Sequence, residues 1–462
     1  MRLLYCVAAL LAVACMVNGA EASKNKINSL PGLTFTPQFD QYTGYITIDE
    51  SLGKEYFYWF VESENDREND PIVLWMQGGP GCSGLLGMFQ ENGPWKVLNN
   101  GTLGENHYSW NKLANVIYLE QPAGVGFSFS NNSAGYSTND NQTASDNYTF
   151  LQGFFNEFPE FSANNLYLTG ESYAGVYVPT LANQIAFGSD EALKDQFKGF
   201  MVGNPVIHCP AWVDHTHTVV LDMYYWHGMA SFYHRQAWKL AGCEENENTP
   251  ECDTIWLLVQ KAMDSHVVDG DNLYQNFCTG NATLDFDEST ENCYSLDDRT
   301  ESYLNRPDVQ AAIFAHSPPA GHWEYCLAGF SEFNYTQQGQ NMIDYYLKLF
   351  EKAPSLRILV YSGDIDLATV PHGYTQLCLA SMSSQVNLVH PWRRWTVPGP
   401  TIPAYTPHHD DKSLLTAGFE EVYEEYTFAT VRGAGHEVPQ YQPLFAFKMF
   451  ASWVVNQTNM NS

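Results

Sequence analysis

The stretch Leu166-Tyr167-Leu168-Thr169-Gly170-Glu171-Ser172-Tyr173-Ala174-Gly175 decides how this chain is read. Its apolar half is short enough for a buried strand and ends at Gly170. Val176 to Ala182 then reads as the first turns of a helix, with Pro179 tolerable near the start. Ser172 therefore sits on a sharp strand-to-helix bend. Small residues at Gly170, Ala174 and Gly175 let the chain turn tightly, which exposes the hydroxyl and leaves the Tyr173 amide free to donate near the helix N-terminus. This is a nucleophile elbow, with Ala174 where the usual Gly-x-Ser-x-Gly pattern ends in glycine.

Working outward, Pro71-Ile72-Val73-Leu74-Trp75-Met76 is a continuous apolar run of the kind buried on both faces of a parallel sheet. It leads into Gln77-Gly78-Gly79-Pro80-Gly81-Cys82-Ser83-Gly84, whose four glycines and proline build a loop with closely approachable backbone, so the Gly79 amide is a candidate oxyanion donor. Ala114 to Leu119 is a further strand, followed by the loop from Glu120 to Gly126, and Ala144 to Phe158 has helical spacing. Strands recur at Gly199 to Val202, Leu356 to Tyr361 and Tyr426 to Val431, while Gln41 to Ile46 and Glu55 to Phe60 form two more near the start. Alternating strand and helix predicts an α/β fold with a mostly parallel central sheet. Between roughly 205 and 300 the alternation weakens into aromatic, cysteine-bearing helical pieces, read as a cap insertion that shapes the pocket within one domain over 23–462.

The 462 residues are 44% apolar and 15% aromatic, enough for a large core. Arg2, the apolar run Leu3 to Val17 and small residues around Ala20 and Ala22 match a secretory signal peptide over 1–22. No later run has the roughly 20 apolar residues of a membrane span, so the expected location is the secretory route, either secreted or in a lysosomal or vacuolar lumen. Cys6 and Cys15 leave with the signal. The eight remaining cysteines suit an oxidising compartment, with Cys243–Cys252 and Cys278–Cys293 as local loops. Glycosylation acceptor motifs stand at Asn100, Asn131, Asn141, Asn147, Asn281, Asn334 and Asn456. A net charge of −30 repels phosphate backbones and anionic membranes, which excludes nucleic acid as a partner. His208, Cys209, His215 and His217 lack further ligand spacing, even with His215 and His217 on one strand face, so no metal or other cofactor is expected.

Two more strands end in glycine-containing loops carrying one reactive group each: Ser362-Gly363-Asp364-Ile365-Asp366 and Arg432-Gly433-Ala434-Gly435-His436. The order Ser, Asp, His is that of the α/β-hydrolases. A neutral imidazole takes the serine proton, and a carboxylate orients that imidazole; Asp364 and Asp366 both qualify by position.

At this point the chain resembles the serine carboxypeptidases. The resemblance is carried by Gly78-Gly79-Pro80-Gly81-Cys82-Ser83, Gly170-Glu171-Ser172-Tyr173-Ala174-Gly175, Tyr361-Ser362-Gly363-Asp364-Ile365-Asp366 and Gly433-Ala434-Gly435-His436-Glu437-Val438-Pro439, and spans about Gly32 to Trp453. It implies Ser172 as nucleophile, His436 as base, Asp366 as orienter, and the Gly79 and Tyr173 amides as oxyanion hole. It implies a reader of a free carboxylate made of Gln77, Glu91 and Glu171, with Gln77 where the family usually has asparagine, and a Cys82–Cys326 bridge; Cys209 and Cys378 stay open, paired or free. Two carboxyls in contact cannot both ionise, so one keeps a proton for the substrate carboxylate, and peptide hydrolysis is expected to favour acidic pH. The expected function is release of C-terminal residues from peptides and proteins through an acyl-enzyme. Alternatives are an acyltransferase or esterase on the same triad, or a non-catalytic protective partner of lumenal enzymes. A homodimer is left open.

Overall fold

Alternate residues of the apolar runs go to opposite faces of one sheet, and both faces are covered. Ile72, Leu74 and Met76 pack on one side and Val73 and Trp75 on the other, all fully buried, as the period of two requires. The computed structural model describes residues 24–263, 269–274, 296–327, 330–398 and 414–455. The signal segment 1–22, Cys278, Cys293, Asn281, Asn456 and His408-His409-Asp410-Asp411 lie outside the described residues.

The main sheet strands, in chain order, are β1 (Asn25–Lys26), β2 (Gln41–Asp49), β3 (Lys54–Val61), β4 (Ile72–Met76), β5 (Asn115–Leu119), β6 (Leu166–Glu171), β7 (Phe197–Gly203), β8 (Arg357–Gly363), β9 (Leu388–Pro398), β10 (Leu414–Tyr423) and β11 (Thr427–Val431), and a short twelfth, Phe129–Ser130, pairs antiparallel with β3. Their spatial order is β1-β2-β3-β5-β4-β6-β7-β8-β11-β10-β9. The six central strands, β5 through β11 in that order, are mutually parallel. Antiparallel strands extend both edges. This is an α/β-hydrolase fold.

One face carries α1 (Asp140–Glu157), α2 (Ala174–Phe187) and α3 (Met342–Lys352), whose apolar sides supply Phe150, Phe154, Leu181, Ile185 and Tyr346 to the core. The other is covered by α4 (Pro443–Val454), where the Phe450 ring stacks on Trp110 at 4.2 Å. α2 begins at Ala174, so Pro179 lies inside it rather than near its start. The long antiparallel pair β9 and β10 falls outside the strands read from sequence; its residues are mostly exposed or half-buried and keep no strict alternation.

From Asn204 to Met263 the chain makes the helices Pro210–Asp214, Thr216–Trp226, Phe232–Leu240 and Pro250–Met263. His215 caps and His217 enters a helix, so the two do not share a strand face; successive side chains there turn by the helical period. Cys209 is bonded to Cys378, which removes it from any metal set, and Cys243 is bonded to Cys252 and Cys82 to Cys326. No described helix is long and apolar enough to cross a membrane. Asn100, Asn131, Asn141 and Asn334 are exposed. Asn147 corrects the acceptor reading: it lies fully buried on the sheet-facing side of α1, its Nδ2 against Gln121 Oε1 and Met76 Sδ, with no space for a glycan.

Candidate active site

Parallel strands end together at one sheet edge, which is why loops distant in sequence converge there. β6 delivers Ser172 in the left-handed region, φ +60°, a conformation that costs a non-glycine residue about 1–3 kcal/mol. Neighbours hold it there: Ser172 N donates to Gly203 O at 2.9 Å, and Ser172 O accepts from Gly175 N and Val206 N, each at 2.9 Å. Glycine opposite is obligatory, since a Cβ on Gly78 would lie 2.5 Å from Tyr173 N and 2.6 Å from Ser172 Cβ. Ala174 is accommodated because Gly170 faces it; a Cβ on Gly170 would come within 2.6 Å of Ala174 Cβ. Among the described residues neither the Gly79 nor the Tyr173 amide has an acceptor within the chain.

His436 follows β11 and Asp366 follows β8. His436 Nδ1 lies 2.6 Å from Asp366 Oδ2, both side chains buried. The Asp366 carboxylate also accepts from Asn204 Nδ2 at 2.8 Å, Thr369 N at 3.1 Å and Val370 N at 3.0 Å. With that many donors it is an acceptor only, so the His436 Nδ1 carries its proton and Nε2 is left for the serine. Burial works against charge on His436, but the Asp366 carboxylate outweighs it and raises the imidazole above its ordinary value. Asp364 turns elsewhere and accepts from Gly433 N at 2.7 Å.

Ser172, His436, Gly79, Gln77 and Glu171 line one cleft of about 340 Å³ together with Asp269, Asp271, Tyr325 and Glu437. Asp271 O also accepts from His436 N at 2.8 Å. A larger, mostly apolar groove of about 710 Å³ between Thr216–Trp226 and His372–Ala380 contains neither Ser172 nor His436 among its lining residues.

The glutamates are built differently. Trp75 Nε1 donates to Gln77 Oε1 at 2.8 Å, which turns the amide nitrogen toward Glu171 Oε1 at 2.6 Å and, more weakly, Glu91 Oε1 at 3.4 Å. Glu91 and Glu171 also contact each other, and among the described residues the second oxygen of each has no other partner. Burial raises Glu91 to about 7; burial, then repulsion from Glu91 and Glu437, lifts Glu171 well above the carboxylate range. Glu171 reaches the cleft and Glu91 stands behind it, on the short π-helical turn Gly87–Glu91. Glu437, half-buried, is raised by burial and by Asp271.

With that geometry in place, comparison with known proteins is direct. Residues 31–456 match the family model described as serine carboxypeptidase. The chain belongs to the serine carboxypeptidase family. Lysosomal protective protein of Mus musculus is 33% identical over 95% of each chain, and serine carboxypeptidase-like 40 of Arabidopsis thaliana is 35% identical over 92% of this chain and 82% of that one. The crystal structure of Kex1(delta)p, a prohormone-processing carboxypeptidase from Saccharomyces cerevisiae, matches the fold with a TM-score of 0.70 at 20% identity, covering 93% and 95% of the two chains. The protein is thus a serine-type carboxypeptidase acting on peptides or proteins.

Sequence reasoning on this carboxypeptidase missed Asn204. It is fully buried at φ +39°, its Nδ2 holds Asp366 and its Oδ1 accepts from Gly363 N at 3.0 Å. The only local signal was Gly203-Asn204-Pro205 closing a strand, since asparagine tolerates the left-handed region better than most residues.

Proposed function

We propose that Ser172 attacks the last peptide bond, His436 Nε2 takes its proton, and Asp366 holds the resulting imidazolium. The Gly79 and Tyr173 amides then receive the oxyanion. The acyl-enzyme forms with loss of the C-terminal residue, and water activated by His436 completes hydrolysis. Glu171, backed by Glu91 and oriented through Gln77, keeps a proton and donates it in a hydrogen bond to the substrate's terminal carboxylate. Raising the pH through about 7 removes that proton from the pair and adds repulsion, so peptide hydrolysis favours acid.

The observation that carries this reading is one cleft lined by Ser172, His436 and Glu171, with Asp366 directly behind the imidazole. The insertion over about 205–300 contributes Asp269 and Asp271 to the lining, which supports a role for it in selecting the leaving residue. The acceptor motifs at exposed Asn100, Asn131, Asn141 and Asn334, together with three disulfides, support a glycosylated protein of the secretory or lysosomal lumen.

The test is incubation at about pH 5 with peptides differing only in the last residue, with and without a serine-directed phosphonylating reagent. Release of single C-terminal residues, abolished when the reagent labels Ser172, is the expected result. Internal cleavage, or full activity after labelling, overturns the reading.

A further inference from the structure

Two buried carboxylates outside the triad and outside the glutamate pair brace the backbone that this mechanism uses. Glu120, at the end of β5 and fully buried, accepts from Ser83 Oγ at 2.6 Å and Trp323 Nε1 at 2.7 Å through Oε1, and from Phe127 N at 2.6 Å through Oε2. All three donors are neutral. The fit is close: a Cβ on Gly126 would sit 1.8 Å from Oε1. Ser83 in turn donates its amide to Tyr325 O at 2.7 Å and follows Cys82, whose amide closes the glycine loop on Gly78 O at 3.1 Å. The chain from Glu120 to the Gly79 amide is therefore short and stiff.

Asp140 does the same for the other amide. It is the first residue of α1 and is buried, and its Oδ1 accepts from the phenols of Tyr173 and Tyr335, each at 2.8 Å, while Oδ2 accepts Gln338 N at 2.7 Å. Tyr173 is the residue whose own amide has no acceptor among the described residues.

Burying a carboxylate without a cation is costly, and an apolar residue of similar size would fill the space at no such cost. What a carboxyl adds is rigidity: its two oxygens draw donors from separate segments to within 2.6–2.8 Å, Glu120 doing so although burial raises it to about 7. An oxyanion donor has to meet the developing charge within a few tenths of an ångström, so rigidity there acts on the transition state.

We propose that Glu120 and Asp140 are positioning residues of the oxyanion site, Glu120 fixing Gly79 through Ser83 and Asp140 fixing Tyr173 through its phenol. The proposal rests on the reading of the Gly79 and Tyr173 amides as oxyanion donors. Glutamine at 120 is the discriminating substitution. Above about pH 7, where Glu120 is ionised, an N–H2 at this place faces either the Trp323 indole or the Phe127 amide, both donors only, while the Ser83 hydroxyl can turn to accept, so one brace is lost at nearly constant volume.

The experiment measures kcat and KM on a peptide and an ester for Glu120→Gln, Asp140→Asn, Ser83→Ala and Tyr173→Phe, with inhibition constants for a peptide aldehyde and for the product amino acid. Loss of a whole oxyanion donor costs about 100- to 1,000-fold in kcat, so displacement of one is expected to cost roughly 10- to 100-fold in Glu120→Gln and Asp140→Asn. KM and product affinity stay within about twofold, while aldehyde affinity falls in parallel with kcat. Glu120→Gln combined with Ser83→Ala costs no more than the larger single effect, whereas Glu120→Gln combined with Asp140→Asn multiplies. Wild-type kcat in either folded carboxyl variant, or equal loss of product and aldehyde affinity, overturns the proposal. Should either carboxyl variant fail to fold, Ser83→Ala and Tyr173→Phe each delete one neutral donor, and wild-type kcat in both overturns it equally. Phosphonate labelling of Ser172 separates the levels: labelling with unmoved constants sinks only this inference, and activity without labelling sinks the mechanism beneath it.

Discussion

Asp366 and the Glu91–Glu171 pair are buried carboxyl groups flanking the same imidazole, and they are solvated in opposite ways. Four donors converge on Asp366: the His436 ring, the Asn204 amide and two backbone amides. The two glutamates share a single side-chain amide and otherwise face each other. The comparison teaches that burial raises a carboxyl and a facing carboxyl raises it further, while a cation and several donors at the same group work the other way. Where an imidazole and several donors meet a buried carboxyl, it suits the orienting role proposed above; where two carboxyls face each other, one is left to keep a proton and, in the function proposed, to meet an anion.

The largest effects break the ionised side of that comparison. Ser172→Ala is expected to lower kcat by about 10⁶, and Asp366→Asn by about 10⁴ because the ring loses its tautomer, with KM little changed in both, as steady-state kinetics on one peptide would show. An Asp366→Asn enzyme of near wild-type kcat would remove Asp366 from the triad.

On the protonated side, Glu171→Ala is expected to raise KM for peptides about 10- to 100-fold while leaving hydrolysis of a C-terminally blocked ester near its wild-type rate. Equal loss on both substrates would mean that Glu171 acts on chemistry rather than on the terminal carboxylate.

Asn204→Ala tests the donor count itself. Removing one hydrogen bond to a charged group is worth about 1.5–3 kcal/mol, so kcat is expected to fall roughly 10-fold with a matching loss in denaturant stability, and unchanged kcat would show that the other three donors suffice.

The smallest effect is on stability. Glu91 is raised in the folded protein, so its protonated form stabilises the fold fully below about pH 4.5, and that contribution is lost as pH rises through about 7. The wild-type melting temperature is therefore expected to fall between those values more steeply than that of Glu91→Gln, by calorimetry at matched ionic strength. Parallel curves would contradict the assignment.

Much of this was legible in the sequence, and the reasons are physical. Continuous apolar runs reported central strands because both sheet faces are covered, so Ile72–Met76 and Asn115–Leu119 carry no polar alternation to mislead. The reactive loops were legible because parallel strands must end at the same edge. What stayed hidden depends on contacts between remote segments. Asn204 meets Asp366 across 162 residues, and Cys209 meets Cys378 across 169, with nothing local to announce either pairing. Asn147 shows the converse, an acceptor motif read from three residues and cancelled by the helix face it occupies. The turn that buries Glu91 was hidden too, because it is π-helical and no apolar periodicity predicts it, although the resemblance had already implied a protonated glutamate pair.

The central claim is that a shared proton on Glu91 and Glu171 reads the substrate's terminal carboxylate. The most direct measurement is the ratio of kcat/KM for a peptide with a free C-terminus to that for its C-terminal amide, followed from pH 5 to pH 9, which cancels the titration of His436. The ratio is predicted to fall through about pH 7 in the wild type and to stay level in Glu171→Gln. A wild-type ratio that does not change across that range would contradict it.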